Sequence, residues 1–284
     1  MNIAAITFVY NETVNLPIWL RYYGRNFGSE NLYVIDRESN DGSTSNLGLS
    51  TRIRLPHDAF DEYKKTNFVS YLHHALLQNY DAVIYTDCDE ILVPNLGLYS
   101  DLRDYIEKND FDYVTAVGMN VLHMIDREDP LRLDQPILQQ RKFAKFWSVL
   151  CKTLISRVPI VWRPGFHGLN RRPKVDTNLF LFHTKAMDYS ISLGRQCINR
   201  ATEWSERSLA ANFGEHHRHD TVRFVRENFF DPVNVLNSGQ ISLFDFAEQL
   251  AQFEAAIVER EGFFELPTDI VKYVEMPDHL RTAF

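Results

Sequence analysis

The first third of the chain alternates strand-like and helix-like patterns, and this alternation restricts its possible folds more than any other feature. Ile3-Ala4-Ala5-Ile6-Thr7-Phe8-Val9 is an apolar run of strand length. Leu16, Leu20, Tyr23 and Phe27 then recur at helical spacing, with Asn15 as the predicted cap and Gly28 as the stop. Leu32-Tyr33-Val34-Ile35 reads as a second strand and runs into the polar turn from Asp36 to Ser43. A second helix is predicted from about Asp61 to Gln78, with Phe68, Leu72, Ala75 and Leu76 on one face, and the strand Ala82-Val83-Ile84-Tyr85 follows it. Strands alternating with helices favour a mostly parallel sheet flanked by crossover helices, with its ligand crevice beyond the carboxyl ends of the strands.

Polar clusters sit at those ends. Asn11-Glu12 follows the first strand, Asp36 the second, and Asp87-Cys88-Asp89-Glu90 the third, so the fold would gather all of them in one crevice. An Asp-x-Asp pair alone says little, since short motifs arise by chance. Its place after a buried strand gives it weight. If the strand geometry continues through it, Asp87 and Asp89 point together and Cys88 points away. Paired carboxylate oxygens suit Mg²⁺ or Mn²⁺, and these ions suit a diphosphate.

Further along, Ser100 is the predicted cap of a helix through Lys108, and Tyr113-Val114-Thr115-Ala116-Val117 reads as a strand. The stretch from Asn120 to Val149, with Pro130 and Pro136, is irregular and is predicted to be a substrate-facing loop. Lys152-Thr153-Leu154-Ile155 and Leu179-Phe180-Leu181-Phe182 are later strands, the second ending at His183. From Asp188 the pattern turns helical, most clearly at Leu243, Phe246, Leu250, Phe253 and Ile257. The predicted organisation is therefore a sheet domain over residues 1–187 and a helical extension over 188–284, packed on it.

Composition excludes several classes. A net charge of -8 argues against sequence-independent nucleic-acid binding, which needs a basic surface. Cys88, Cys151 and Cys197 are too scattered for a disulfide framework or a zinc cluster, which fits a reducing, cytoplasmic setting. No stretch has the length of a transmembrane segment, and the amino terminus has no signal-peptide pattern; peripheral membrane contact stays open. His216, His217 and His219 are read as a solvated helix face, because neighbours in a helix do not share one side. Lys64-Lys65 and Arg171-Arg172 are read as solvated charge, and Cys88 as packing.

The residues Asn11-Glu12, Leu16, Trp19-Leu20, Gly28, Asp36, Ser39, Asp41-Gly42-Ser43 and Asp87-Cys88-Asp89-Glu90 resemble family 2 glycosyltransferases, proteins of the GT-A fold. The likeness is dense in the first third. It then thins to Lys152-Thr153-Leu154-Ile155, His167 and Phe182-His183. It implies that Asn11, Glu12, Asp36, Asp87 and Lys152 serve a nucleotide-sugar donor, most simply a UDP-sugar, with Asp36 at the base or ribose and Lys152 at the diphosphate. Asp87 and Asp89 would meet the metal with His183, or failing it His167, and a histidine ligand tilts the choice toward manganese. The implied reaction is sugar transfer to an acceptor hydroxyl with inversion, the acceptor being a glycan or a lipid-linked saccharide of a surface polymer. Inversion needs a base. Asp126, Glu128 and Asp129 lie in the irregular stretch but match no motif. A metal-dependent nucleotidyltransferase or phosphohydrolase, or a noncatalytic nucleotide-sugar binding module, are the competing readings.

Overall fold

The computed structural model describes residues 1–284. The chain opens with β1 (Ile3–Val9), α1 (Asn15–Phe27), β2 (Leu32–Asp36), β3 (Thr51–Arg54), α2 (Glu62–Leu76), β4 (Ala82–Tyr85), β5 (Glu90–Pro94) and α3 (Leu102–Lys108). It continues through β6 (Tyr113–Val121), α4 (Ile137–Gln140), β7 (Phe143–Trp147), β8 (Thr153–Ser156), the short β9 (Gly168–Leu169) and β10 (Val175–His183). The tail holds α5 (Tyr189–Ala201), α6 (Glu206–Ala210), α7 (Glu215–Arg218), α8 (Thr221–Val225), α9 (Asp231–Asn237), α10 (Ala247–Ala256), β11 (Val258–Arg260), β12 (Phe263–Glu265) and β13 (Val271–Glu275).

β1 lies between β2 and β4, and β2 continues to β3, all in parallel. Burial on both faces explains why β1 and β4 read as near-continuous apolar runs. Beyond β4 the order is β8, β6, β7, β13 with antiparallel pairing, while β10 branches from β6 in parallel and carries β5 antiparallel. The result is an α/β protein with a Rossmann-like parallel half and helices on the flanks. Because β1 has β2 on one side and β4 on the other, the strand order reverses there, the kind of switch point beyond which open α/β sheets bind ligands. One continuous apolar core spans the sheet and its helices, from Ile3 to Phe284.

Several expectations are corrected. α1 begins at Asn15 with Val14 at its cap position and no side-chain cap. Asp61 caps α2 by accepting from the Tyr63 and Lys64 N–H groups, and Asp101, not Ser100, caps α3. The irregular stretch from Asn120 contains the end of β6 and all of β7. Leu243 is 86% exposed and lies before α10, so the buried stripe of that helix is Leu250 and Phe253. The tail is helical only to Ala256; its last strand, β13, pairs with β7 and completes the main sheet. No helix is long and apolar enough to cross a membrane.

Candidate functional site

Asp87-Cys88-Asp89-Glu90 is a turn between β4 and β5, closed by the Glu90 N–H donating to the Asp87 carbonyl at 2.9 Å. Strand alternation therefore does not set the directions of the two aspartates, as the sequence suggests; the turn does. Asp87 Oδ1 accepts from Lys65 Nζ at 2.8 Å and from the Tyr85 hydroxyl at 2.6 Å. Asp89 instead meets His183 at the end of β10, with 3.3 Å between Oδ2 and Nε2. Burial pushes the Asp89 carboxyl up, but His183, Arg195 and Lys152 outweigh it and hold it below the usual range. Asp87 is likewise lowered: burial is outweighed by Lys65 and Lys152.

Asn120 fixes the His183 ring. An amide oxygen only accepts, so the 3.0 Å contact between His183 Nδ1 and Asn120 Oδ1 puts the proton on Nδ1. In the neutral ring Nε2 then presents its lone pair to the Asp89 carboxylate. That facing is relieved by a proton on Nε2, the form in which His183 holds Asp89 low, or by a cation between them. The second-neighbour contact to Asn120 is of the kind that orients metal-binding histidines.

Lys152 pairs with Glu90 at 2.6 Å, both nearly buried, so its charge is already met by the protein. His167 donates from Nδ1 to the Val149 carbonyl at 2.9 Å, and burial, reinforced by Lys152, draws it down to about 3. It is a neutral imidazole near Asp87, Lys65 and Lys152. No set of three or more His, Cys, Asp or Glu side chains converges as a metal cage. A metal would instead take the Asp89 and His183 pair, while Asp87 is held by Lys65 and Tyr85. Few protein ligands of this kind suit an ion that also binds water and phosphate oxygens.

At the end of β1, Asn11 adopts φ +52 and latches the Asp36–Ser43 turn: its N–H donates to Ser39 Oγ at 2.9 Å, and its amide exchanges hydrogen bonds with Asn40. Glu12 is tied to Arg195 of α5 at 2.7 Å and to Asn15 Nδ2 at 3.2 Å. Asp36 is fully buried, and both its oxygens are used, Oδ1 by the Ser39 N–H and Oδ2 by Thr44 and the Arg52 guanidinium. It anchors the turn and presents no free atom to a base or ribose. The groups around this corner are others: Tyr10 stacks with His57 at 4.6 Å, and Arg37 lies over Tyr10 at 4.7 Å and Phe60 at 5.0 Å. Arg37 is 4% exposed, and its Nε and Nη1 have no partner.

The three carboxylates predicted as bases lie apart from this cluster. Asp126 pairs with Arg127 and Asn237, Glu128 accepts from the Met124 and Lys142 N–H groups, and Asp129 is exposed. No hydrogen bond or ion pair joins them to Asp87, Asp89 or His183. Of the histidines read as a solvated face, His216 is exposed and His219 pairs with Glu215 and Glu227, while His217 departs from that reading. His217 is half-buried, hydrogen-bonded to Asn199 and stacked on Trp204, and burial with Lys185 draws it down to about 3. Lys65 is an ion-paired side chain of the site, not solvated charge. Arg37 and His217 carry no motif; a lone arginine directly after a strand-end aspartate is the one readable signal.

No family model matches the sequence, and no curated protein is detectably similar to it. Among solved structures, the mannosyltransferase PcManGT from Pyrobaculum calidifontis, in complex with GDP-Man and Mn2+, shares 18% identity over 43% of this chain and 35% of its own, with a TM-score of 0.27. A CMP:2-keto-3-deoxy-manno-octonic acid synthetase complexed with CTP shares 9% identity over 84% of this chain and 87% of its own, also with a TM-score of 0.27. Neither likeness carries site chemistry across.

Proposed function

We propose that this chain is a metal-dependent glycosyltransferase, of the kind its strand-end motifs resemble, transferring a sugar from a nucleotide-sugar to an acceptor hydroxyl. The observation that carries the reading is the Asp89–His183 pair, its imidazole oriented by Asn120, beside the switch point of the sheet. Asp89 and His183 would hold Mn²⁺ or Mg²⁺, which when bound would neutralise charge on the departing diphosphate. Lys65 and Lys152 place two further cations beside the turn, each kept charged by its own carboxylate. Tyr10, His57 and Arg37 would form the nucleoside pocket, with stacking for the base and two unpaired guanidinium nitrogens for its acceptors. The donor site would belong to residues 1–187, and 188–284 would pack beside the acceptor side.

Calorimetry with UDP, with and without Mn²⁺, tests this. UDP should bind the wild type in a manganese-dependent way, and Asp89→Asn or His183→Ala should weaken the Mn²⁺–UDP complex by about tenfold or more. Metal-independent binding, or binding unchanged in both variants, would overturn the assignment. The same lysines and carboxylates would also serve nucleotidyl transfer, so product analysis decides the reaction. Intact transfer of the sugar supports the first reading; pyrophosphate release from a nucleoside triphosphate supports the other.

A further inference from the structure

In register, Asn120 of β6 stands opposite both His183 of β10 and Lys145 of β7; Lys145 in turn stands opposite Tyr273 of β13, and His183 opposite Glu90 of β5. Residues directly opposite on neighbouring strands point to the same face. Lys145, Asn120 and His183 therefore form a lateral row leading away from the Asp89 position. Lys185 lies in the turn just past the end of β10, two residues beyond His183.

The charges in this region are unequally compensated. Lys65, Lys152 and Arg195 each have a carboxylate partner within 2.8 Å. Lys145 and Lys185 are half-buried, and neither amine has a hydrogen bond or an ion pair. Lys145 Nζ rests 4.2 Å from the Trp147 ring centre, and Lys185 Nζ 5.8 Å from that of Phe224. The acid whose field reaches both amines is Glu227, on the π-turn between α8 and α9, and it is already engaged by Arg223 at 2.7 Å and His219 at 3.4 Å. Asp89 also reaches Lys185, but it faces His183. Desolvated like charges without a counter-ion are costly. Such a pair suits an anion that arrives with a ligand, and an ammonium is a good point-charge partner for phosphate or carboxylate.

We propose that Lys145 and Lys185 form an anion subsite on the acceptor side, so that the acceptor is a molecule bearing a phosphate or carboxylate group. The nucleoside pocket at Tyr10, His57 and Arg37 lies by the ends of β1 and β2, whereas these amines lie by β7 and β10, with Asp89 and His183 between. Half-buried Trp147 supplies an apolar wall against which the uncharged part of the acceptor packs, while buried Phe224 backs Lys185. The acceptor role rests on the glycosyltransferase reading; the anion subsite itself rests only on the two amines.

The test titrates the full-length chain with inorganic phosphate, glucose 6-phosphate, glucuronate and neutral glucose, each with and without saturating UDP and Mn²⁺. At least one anion should bind alongside UDP and more tightly than glucose, and the glucose 6-phosphate and glucuronate arms identify which group is taken. Lys145→Ala and Lys185→Ala should each weaken that binding at least tenfold, Lys145→Arg should largely restore it, and UDP affinity should stay as in the wild type. Competition between UDP and the anion, anion affinity no better than that of glucose, or wild-type affinity in both alanine variants would overturn the proposal. Anion binding lost in the lysine variants, in a protein that fails to bind UDP, would uphold the subsite and overturn the donor assignment instead.

Discussion

At Glu12, burial and an ion pair pull in opposite directions. Desolvation raises the carboxyl to about 7, against the pull of Arg195. The native protein then keeps a proton that the unfolded chain, with an ordinary value of 4.5, releases. Its contribution to stability is full below that ordinary value and is lost as pH rises through about 7, with a slope of at most about 1.4 kcal/mol per pH unit. The melting temperature of the wild type minus that of Glu12→Gln should therefore fall between pH 5 and pH 8; a difference independent of pH would show an ionised carboxylate throughout. Asp36 behaves oppositely. Burial raises it, but hydrogen bonds from Ser39, Arg52 and Thr44 win and hold it low. From the sequence, both residues were visible as strand-end polar groups, because a buried strand must end where polarity begins. Their arginine partners were not, since Arg195 comes from α5 far along the chain and Arg52 from the exposed edge strand β3, which shows no alternation.

Among the elements, the approach of β6 to the segment before β8 is the tightest constraint near Lys152. A Cβ at Gly118 would fall 2.3 Å from the Leu150 carbonyl carbon, and the Gly118 N–H also meets Cys151 Sγ at 3.4 Å. Backbone atoms cannot swing aside as a flexible side chain can. Gly118→Ala should therefore displace Leu150–Lys152 and cost about 1–3 kcal/mol or more in urea unfolding, while Gly42→Ala, with nothing within 4 Å of the added carbon, tests only the strain of its positive φ. Equal, small losses for the two would refute the packing argument. The elements the sequence hid were those lacking periodicity. β3 is the edge strand Thr51-Arg52-Ile53-Arg54 and is mostly exposed, and β5 is buried along its whole length directly after the acidic turn, so neither alternates. β7 carries Lys145 and three aromatic residues within a polar stretch, so it shows no strand alternation.

At the scale of the whole molecule, the later part of the tail, from Phe246 to Phe284, shares one core with the sheet. β13 pairs along β7 through five residues, from Val271 opposite Trp147 to Glu275 opposite Phe143. Phe284 is 8% exposed and packs edge-on against Tyr22 of α1 at 6.1 Å, and also against Phe182 at 6.2 Å. Its carbonyl accepts from the Ile137 N–H at 2.6 Å, and Arg25 donates to the Ala283 carbonyl at 3.0 Å. These contacts cross the predicted boundary at residue 187. Phe284→Ala removes a buried ring and should cost about 3 kcal/mol, the lower end for a core phenylalanine because the site is near the surface. A fragment of residues 1–187 would leave the β7 edge unpaired and the apolar faces of α1 and β10 open to water. It should show no cooperative thermal transition, whereas the full chain should unfold in one. If that fragment melted cooperatively and still bound Mn²⁺–UDP, the tail would be a separate unit after all, and the acceptor-side amine Lys185 would lose its Phe224 backing without cost to the donor site.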